Sequence, residues 1–187
     1  MVHSRDFHPV NHCFFADNNA GALLFTEVQL RSDARQTMWL RHSVQHSWGS
    51  EFHPALHVAL FDIVARKGEH SDVGQLQRVK RHRPRAPQGA DHLVNAPRAQ
   101  SLLCHLSIPP PLLRLKLKTF SHVFVAGLAA NYCCKFTAID TKRAGFVVML
   151  LLPLTRGVGS PFDPQPTVQE LERSGVRALH DVASLQR

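Results

Sequence analysis

The feature that most constrains the fold of this sequence is a pair of long apolar runs with a helix-like segment between them. SHVFVAGL (121–128) and AGFVVMLLL (144–152) are continuous stretches of β-branched and other apolar residues. Such runs are typical of strands that a parallel sheet buries on both faces. In the intervening CCKFTAIDTKRAG (133–145), Phe136 and Ile139 have helical spacing and the segment ends at a glycine. Strand, helix and strand in this order predict a right-handed crossover unit.

Two further segments extend this alternation. LHVALFDIV (56–64) has the character of another strand. TVQELERSGV (167–176) begins with Thr167, a plausible N-cap residue, and has Glu170 three positions later, which is typical of a helix start. We therefore predict an α/β fold with a doubly wound, mostly parallel sheet. The length of 187 residues predicts a single domain over 1–187.

Composition excludes some classes of protein and suggests a compartment. The apolar run FVVMLLLPL (146–154) is far shorter than the ~18 residues of a membrane span, so no membrane partner is expected. The first residues, MVHSRDFHPV, carry no secretory pattern, which predicts a cytoplasmic protein. The four cysteines have no disulfide-framework spacing and are expected to be reduced: Cys13, Cys104, Cys133 and Cys134.

The positive charge is concentrated in one segment. The formal net charge is +8, and much of it lies in RVKRHRPR (78–85). This run belongs to a longer stretch, 74–111, that has six prolines and no regular period, so we predict an irregular insert there. Nucleic-acid binding by 78–85 is an alternative function. The run lacks interleaved aromatic residues and any zinc-finger spacing, which favours a solvated loop.

Three polar side chains have the character of metal ligands. Asp6 and His8 are two residues apart in an extended segment, so their side chains point the same way. His42 and His46 lie near two tryptophans. Two imidazoles and one carboxylate, with waters in the remaining positions, form the kind of catalytic site that zinc, iron or manganese occupies. An ordinary surface position is the alternative for each of these residues.

A lysine and a cysteine are candidates for catalysis. Lys67 follows a predicted strand, and ligands usually bind at the carboxyl ends of strands in open α/β sheets. Cys133 follows a Gly-Leu-Ala turn at a predicted helix start, where the pKa of a thiol is lowered and backbone N–H groups can hold an oxyanion. The alternatives are a solvated lysine and, for Cys133 and Cys134, two small buried apolar residues.

Five segments follow one another along the chain at regular separations: SRDFHPVNHC, MWLRHSVQHSWGSEFHPAL, DIVARKGEHSDV, VFVAGLAANYCCKFTAID and LPLTRGV. Taken together, they resemble nicotinamidases of the isochorismatase-like cysteine hydrolase family. The resemblance implies an α/β fold with a mostly parallel sheet. It also implies hydrolysis of nicotinamide to nicotinic acid and ammonia through a cysteine thioester, as in NAD salvage.

The resemblance implies roles for several residues. Cys133 would be the nucleophile, and Lys67 would help to hold its thiolate. The backbone N–H groups of Ala129 and Cys133 would form the oxyanion hole, and Ala129 would also contact the substrate. The Leu128–Ala129 peptide matches the position at which the family has a cis bond. Cys134 would point into the helix packing.

The resemblance also implies a metal site and a substrate pocket. Asp6, His8 and His42 match the metal ligands of the family, and His12 is an extra ligand in some members. The metal is expected to be zinc, with manganese or iron as alternatives, and would bind the pyridine nitrogen. Trp39 falls where the family stacks an aromatic residue on the pyridine ring. The expected partner is therefore a small molecule, nicotinamide, and a homo-oligomer is expected by the same resemblance.

One element of the family pattern has no match. In the family, the proton acceptor is an aspartate at the end of a first, central strand that precedes the segment SRDFHP. This sequence starts with MVHSRD, so we expect an N-terminally truncated domain without that strand or its general base. Acid–base help typically contributes ~100- to 10,000-fold, so weak turnover is expected. An inactive metal- or nicotinamide-binding remnant, or an incomplete gene product, is the alternative.

Overall fold

The computed structural model describes residues 1–30, 35–60, 62–71, 120–159, 161–181 and 183. The chain divides into two compact units, and the described residues up to 71 belong to the first unit while those from 120 onward belong to the second. The predicted insert at 74–111, with its basic run at 78–85, lies outside the described residues. The single domain over 1–187 stays a prediction.

The described residues of the first unit form two small sheets. Their strands are β1 (Val2–Asp6), β2 (Glu27–Gln29), β3 (Arg35–Thr37) and β4 (Ile63–Lys67). β1 and β4 are parallel and pair residue for residue, so that Asp6 lies opposite Lys67. β2 and β3 form an antiparallel pair. The parallel register brings the last residues of β1 and β4 to the same edge of their sheet.

The strand predicted at 56–64 is wrong over most of its length. β4 begins only at Ile63, because its pairing with β1 begins there. The preceding residues form turns, in which the Asp62 N–H donates to the Ala59 carbonyl at 3.0 Å. Leu56 and Leu60 are 46% and 92% exposed, so these two apolar side chains are not packed in a core. Among the described residues, no strand pairs with 56–60, so the backbone groups of this segment gain no ladder partner from extending.

The second unit alternates strands and helices. In chain order it contains β5 (His122–Leu128), a π-helical turn (Ala130–Cys134), α1 (Lys135–Arg143), β6 (Val147–Arg156), α2 (Gln165–Arg173) and β7 (Arg177–Leu179). The three strands form one parallel sheet in the order β5-β6-β7. This confirms the predicted strand–helix–strand pattern. Across the part of the chain that the structure describes, no helix combines the length and apolar character needed to cross a membrane.

The predicted N-cap at Thr167 is wrong. α2 begins at Gln165, and Thr167 is buried inside the helix. Pro166 lies in the first turn, where its missing N–H costs nothing and its fixed φ suits the helix. The helix can therefore start earlier than the polar residue that the sequence suggested.

The core of the second unit collects residues from its strands and helices. Its buried members are Val125, Cys134, Ala138, Ile139, Val148, Leu150, Leu171 and Val176. The middle of β6 is buried throughout, from Val148 to Leu151, as the continuous apolar run predicted. β5 is buried on one face only, since Val125 is buried while the neighbouring Phe124 is 48% exposed.

The segment after β6 depends on a close approach between Gly157 and Phe162. A Cβ atom on Gly157 would lie 2.2 Å from the Phe162 ring. Gly157→Ala is therefore expected to destabilise the protein by about 1–3 kcal/mol, because the ring must move out of its position. Urea unfolding measures this difference.

The control for this prediction is Gly49→Ala, because the nearest atom to a Cβ at Gly49 is 3.7 Å away. In a Phe162→Ala background, the Gly157 substitution should cost much less. Equal costs with and without the Phe162 ring would show that this contact is not the cause.

Candidate metal site and catalytic cysteine

The carboxyl ends of β1 and β4 hold a charged pair. The Asp6 carboxylate and the Lys67 ammonium form an ion pair, which follows from their opposite positions in the register. Lys67 is only 6% exposed. A buried ammonium needs a compensating charge, and the Asp6 carboxylate supplies one.

Asp6 also belongs to a cluster of metal-ligand type. Asp6, His8 and His42 offer ligand atoms that all lie within 4.8 Å of one another. His8 is placed by the chain just beyond β1, where its N–H donates to the Ser43 carbonyl at 2.9 Å. This bond ties the end of β1 to the segment that carries His42. The structure therefore brings together the three ligands predicted from the sequence.

The two histidines are oriented by hydrogen bonds from their Nδ1 atoms. His8 Nδ1 lies 3.0 Å from the Gly68 carbonyl, and His42 Nδ1 lies 2.6 Å from the Leu40 carbonyl. A carbonyl can only accept, so Nδ1 is the donor in both rings and Nε2 is the nitrogen left to face the cluster. His8 Nε2 is 3.5 Å from Asp6 Oδ1. Histidine metal ligands are oriented in this way, so the residues fit a divalent metal.

The electrostatics of the cluster also suit a cation. Burial by itself would raise the pKa of Asp6, but the hydrogen bond with His8 and the charge of Lys67 outweigh it and hold that pKa well below its usual range. Burial lowers the pKa of His42, although the Leu40 carbonyl and the Asp6 charge oppose this effect. Asp6 is thus ionised and His42 neutral near pH 7, which are the forms that bind metal.

His12 lies close to the cluster without belonging to it. Its ring centroid is 4.9 Å from that of His8, and His12 is fully buried. His12 Nδ1 accepts a hydrogen bond from the Phe14 N–H at 3.4 Å. Among the described residues, the cluster of possible ligands contains Asp6, His8 and His42 but not His12.

Trp39 is held beside His42. Its backbone is fixed on both sides, because its N–H donates to the Phe14 carbonyl at 2.8 Å and its carbonyl accepts from the Ala16 N–H at 2.9 Å. The ring centroids of Trp39 and His42 are 6.3 Å apart. The indole is therefore an aromatic neighbour of His42, and its stacking on a substrate ring stays a prediction.

Gln45 is a residue of this site that the sequence did not identify. Its side-chain amide donates to the carbonyls of Phe7 and Glu69, each at 3.1 Å, and its backbone N–H donates to the His8 carbonyl at 2.8 Å. These bonds join the chain segments just beyond β1 and β4. No sequence signal marks it, because the partners are backbone groups far away in sequence.

Gln45→Leu is expected to weaken zinc binding by roughly 10-fold, because supporting bonds around metal ligands typically contribute that much. Competition with a chromophoric chelator measures the affinity. Gln29→Leu, at an exposed position in β2, is the matched control. Equal zinc affinities for the two variants would show that Gln45 does not position the ligands.

In the second unit, the adjacent cysteines have different environments. Cys133 is half-buried in the turn that follows β5, whereas Cys134 is 4% exposed and belongs to the core. The Leu128–Ala129 peptide is cis, as the resemblance implied. The carbonyl of Ala129 accepts hydrogen bonds from the N–H groups of Tyr132 and Cys134, both at 3.1 Å. The interpretation of two buried apolar residues is thus right for Cys134 and wrong for Cys133.

The turn that carries Cys133 is tied to the segment after β6. The Asn131 side chain donates to the Val158 carbonyl at 2.9 Å and accepts from the Val158 N–H at 3.0 Å. These two bonds hold the turn against the chain that follows β6. The candidate residues therefore form two groups: the cluster with Lys67 and Trp39 belongs to the first unit, and Cys133 with Ala129 belongs to the second.

Comparison with known proteins places this chain among characterised enzymes. No family model matches the chain. It is 30% identical over 176 residues to a nicotinamidase of Escherichia coli, an alignment that covers 94% of this chain and 72% of the relative. It is 27% identical over 179 residues to a nicotinamidase of Acinetobacter baylyi, covering 96% of this chain and 73% of the relative.

Solved structures with a similar fold include proteins of the same kinds. The fold is similar to that of an Acinetobacter baumanii nicotinamidase and pyrazinamidase, with TM-score 0.69, 23% identity and coverage of 95% and 75% of the two chains. An isochorismatase-like hydrolase from Alkaliphilus metalliredigens has TM-score 0.57 at 17% identity, with coverage of 99% and 71%. A pyrazinamidase of Pyrococcus horikoshii, solved in complex with zinc, has TM-score 0.61 at 21% identity, with coverage of 96% and 74%.

The fold is the α/β fold of isochorismatase-like hydrolases. Within this fold, the 30% identity to the Escherichia coli nicotinamidase, over 72% of that relative, identifies the family. The chain belongs to the nicotinamidase family.

Proposed function

We propose that this chain hydrolyses the carboxamide of nicotinamide to nicotinic acid and ammonia, a reaction of NAD salvage. The observation that carries the proposal is the metal-ligand cluster of Asp6, His8 and His42, in a chain that belongs to the nicotinamidase family. Both histidines present Nε2 to the cluster, and Lys67 is buried against Asp6. The cytoplasm is the proposed compartment, and a homo-oligomer stays a prediction.

We propose Cys133 as the nucleophile. Its thiolate would attack the amide carbon, and the developing oxyanion would accept hydrogen bonds from the backbone N–H groups of Ala129 and Cys133. Collapse of this intermediate would break the C–N bond, release ammonia once the nitrogen has gained a proton, and leave a thioester on Cys133. Water would then cleave the thioester to give nicotinic acid and the free thiol. The half-buried position of Cys133 supports this role over that of the buried Cys134.

Asp6, His8 and His42 would hold the metal, with zinc as the proposed ion and manganese or iron as alternatives. The zinc complex of the Pyrococcus horikoshii pyrazinamidase supports this choice. When bound, the ion would supply a Lewis acid for the pyridine nitrogen of the substrate. Trp39, beside His42, would stack on the pyridine ring and orient the carboxamide. The donor set of two imidazoles and one carboxylate leaves positions for substrate and water.

Lys67 is proposed as the second catalytic residue. Its ammonium is buried in the first unit and forms an ion pair with Asp6. A buried positive charge stabilises anions that form during the reaction, and the thiolate is such an anion. No acidic residue in the described part of the chain is assigned as the proton acceptor, and the expected loss of the family's general-base aspartate stays a prediction.

Ammonia release from nicotinamide tests the proposed function. The 187-residue chain, supplied with zinc or manganese, should release ammonia in proportion to enzyme concentration. A chain that is folded by circular dichroism, binds zinc and releases no ammonia would contradict the proposal. Binding of nicotinamide in that same sample would instead support a binding protein without chemistry.

A further inference from the structure

Phe25 has a backbone conformation that bulky residues rarely adopt. Its φ is 61°, in the left-handed region. For a bulky aromatic residue this conformation is an outlier, because Cβ is crowded by the backbone. Such residues persist only where surrounding structure determines them, and they cluster at ligand-binding sites. We therefore attribute the backbone conformation of Phe25 to the residues around it.

Two backbone hydrogen bonds hold Phe25 in place. Its N–H donates to the Met38 carbonyl at 2.8 Å, and the Met38 N–H donates to the Thr26 carbonyl at 2.9 Å. Met38 is fully buried and is the immediate neighbour of Trp39 in sequence. The pairing with Met38 thus fixes Phe25 relative to Trp39 rather than leaving it in a freely moving loop.

The ring of Phe25 is placed against Trp39 and toward solvent. The centroids of the two rings are 5.7 Å apart, and their planes are 88° from parallel. Phe25 is 49% exposed and is not a member of the core cluster that includes Phe14, Phe15 and Met38. The side chain is therefore not explained by core packing. The two rings instead form an apolar corner, and His42 is also a neighbour of the indole.

We propose that Phe25 is a specificity-determining residue that contacts the edge of a heteroaromatic amide when its ring lies on Trp39. This inference rests on the proposed function and deepens it. A flat, unsubstituted six-membered ring stacked on the indole would meet Phe25 at a right angle, which is a favoured aromatic geometry. A ring substituent directed at Phe25 would clash with a side chain that its backbone bonds hold in place. The corner thus selects unsubstituted rings over ring-methylated ones.

Tryptophan fluorescence tests this proposal directly. The chain has two tryptophans, and Trp48 is 84% exposed, so Trp48→Phe leaves Trp39 as the reporter. In this background, with zinc bound, nicotinamide should quench the emission of Trp39 with a measurable Kd. Phe25→Gly should raise that Kd by about 5- to 10-fold, whereas Phe25→Tyr should keep it close to the starting value. Glycine is used because it accepts a positive φ without strain.

Specificity gives the second readout. The ratio of Kd values for a ring-methylated nicotinamide and nicotinamide should fall toward one in Phe25→Gly. Leu60→Gly, at a position that is 92% exposed in the same unit, is the control and should change neither quantity. Thermal melting establishes that all variants are folded.

The outcomes separate this proposal from the proposed function. Unchanged affinity and unchanged discrimination in Phe25→Gly, in a protein that still releases ammonia, would overturn the role of Phe25 alone. Loss of affinity in Phe25→Gly, in a protein that releases no ammonia, would support Phe25 as a binding residue and overturn the enzymatic function. A zinc-loaded chain in which nicotinamide does not quench Trp39 would overturn the role of Phe25 whether or not ammonia is released.

Discussion

Cys133→Ala is expected to lower the rate of ammonia release from nicotinamide by about 1,000-fold or more, since the removal of a catalytic nucleophile leaves only binding and oxyanion stabilisation. The side chain is half-buried, and its loss removes only a small sulfur group, so the fold should remain intact. Zinc affinity should also be unchanged, because Cys133 is not one of the proposed metal ligands. Ammonia release with saturating nicotinamide measures the effect.

The neighbouring cysteine provides the matched control. Cys134→Ala removes the same group from the core, where Cys134 is 4% exposed. This change should cost about 1 kcal/mol of stability and leave kcat nearly unchanged. If the Cys134 variant were folded and inactive while the Cys133 variant kept its activity, the assignment of the nucleophile would be reversed.

Asp6→Asn is the second change with a large expected effect. Asp6 forms the ion pair with Lys67 and is also one of the three proposed metal ligands. The amide has the shape of the carboxylate but no charge, so the buried Lys67 would lose its ion pair with Asp6. Removing one partner of a buried ion pair typically costs about 3–5 kcal/mol. Zinc affinity should fall by at least about 100-fold, since an anionic ligand becomes a weak neutral one. Urea unfolding without metal and chelator competition measure the two effects separately.

A double variant separates charge compensation from metal binding. Asp6→Asn combined with Lys67→Met removes both charges, so much of the lost stability should return while zinc affinity stays low. Asp17→Asn is the control, because Asp17 is 54% exposed and its ion pair with Arg41 is at the surface, where such pairs contribute little. Zinc binding at the starting affinity by Asp6→Asn would remove Asp6 from the set of ligands.

Part of the site could be predicted from residue spacing because the geometry is local. Asp6 and His8 are two positions apart at the end of a strand, and alternate side chains of an extended segment point the same way. The addition of His42 needed the resemblance as well as the composition, since it lies far away in sequence. Gln45 could not be predicted, because it donates to backbone carbonyls of distant segments. Phe25 could not be predicted either, because its positive φ is not indicated by its residue type.

For the two adjacent cysteines too, the sequence indicated one feature and the structure decided another. The sequence alone indicated a helix start near Cys133, since an apolar run ends in a small-residue turn just before it. It left open which thiol is accessible. The π-helical turn places Cys134 in the core and leaves Cys133 half-buried, and this depends on the packing of α1 against the sheet.

By itself, the sequence determined the strand–helix–strand order of the second unit and the residue types of the metal cluster, because continuous apolar runs and short spacings act locally. Only the tertiary structure decided that β4 starts at Ile63, that Lys67 lies opposite Asp6, and that both histidines present Nε2. Strand register and the carbonyl partners of the imidazoles are set by pairing between distant segments. Such pairing minimises unsatisfied backbone groups over the whole unit, and no short stretch of sequence contains that information.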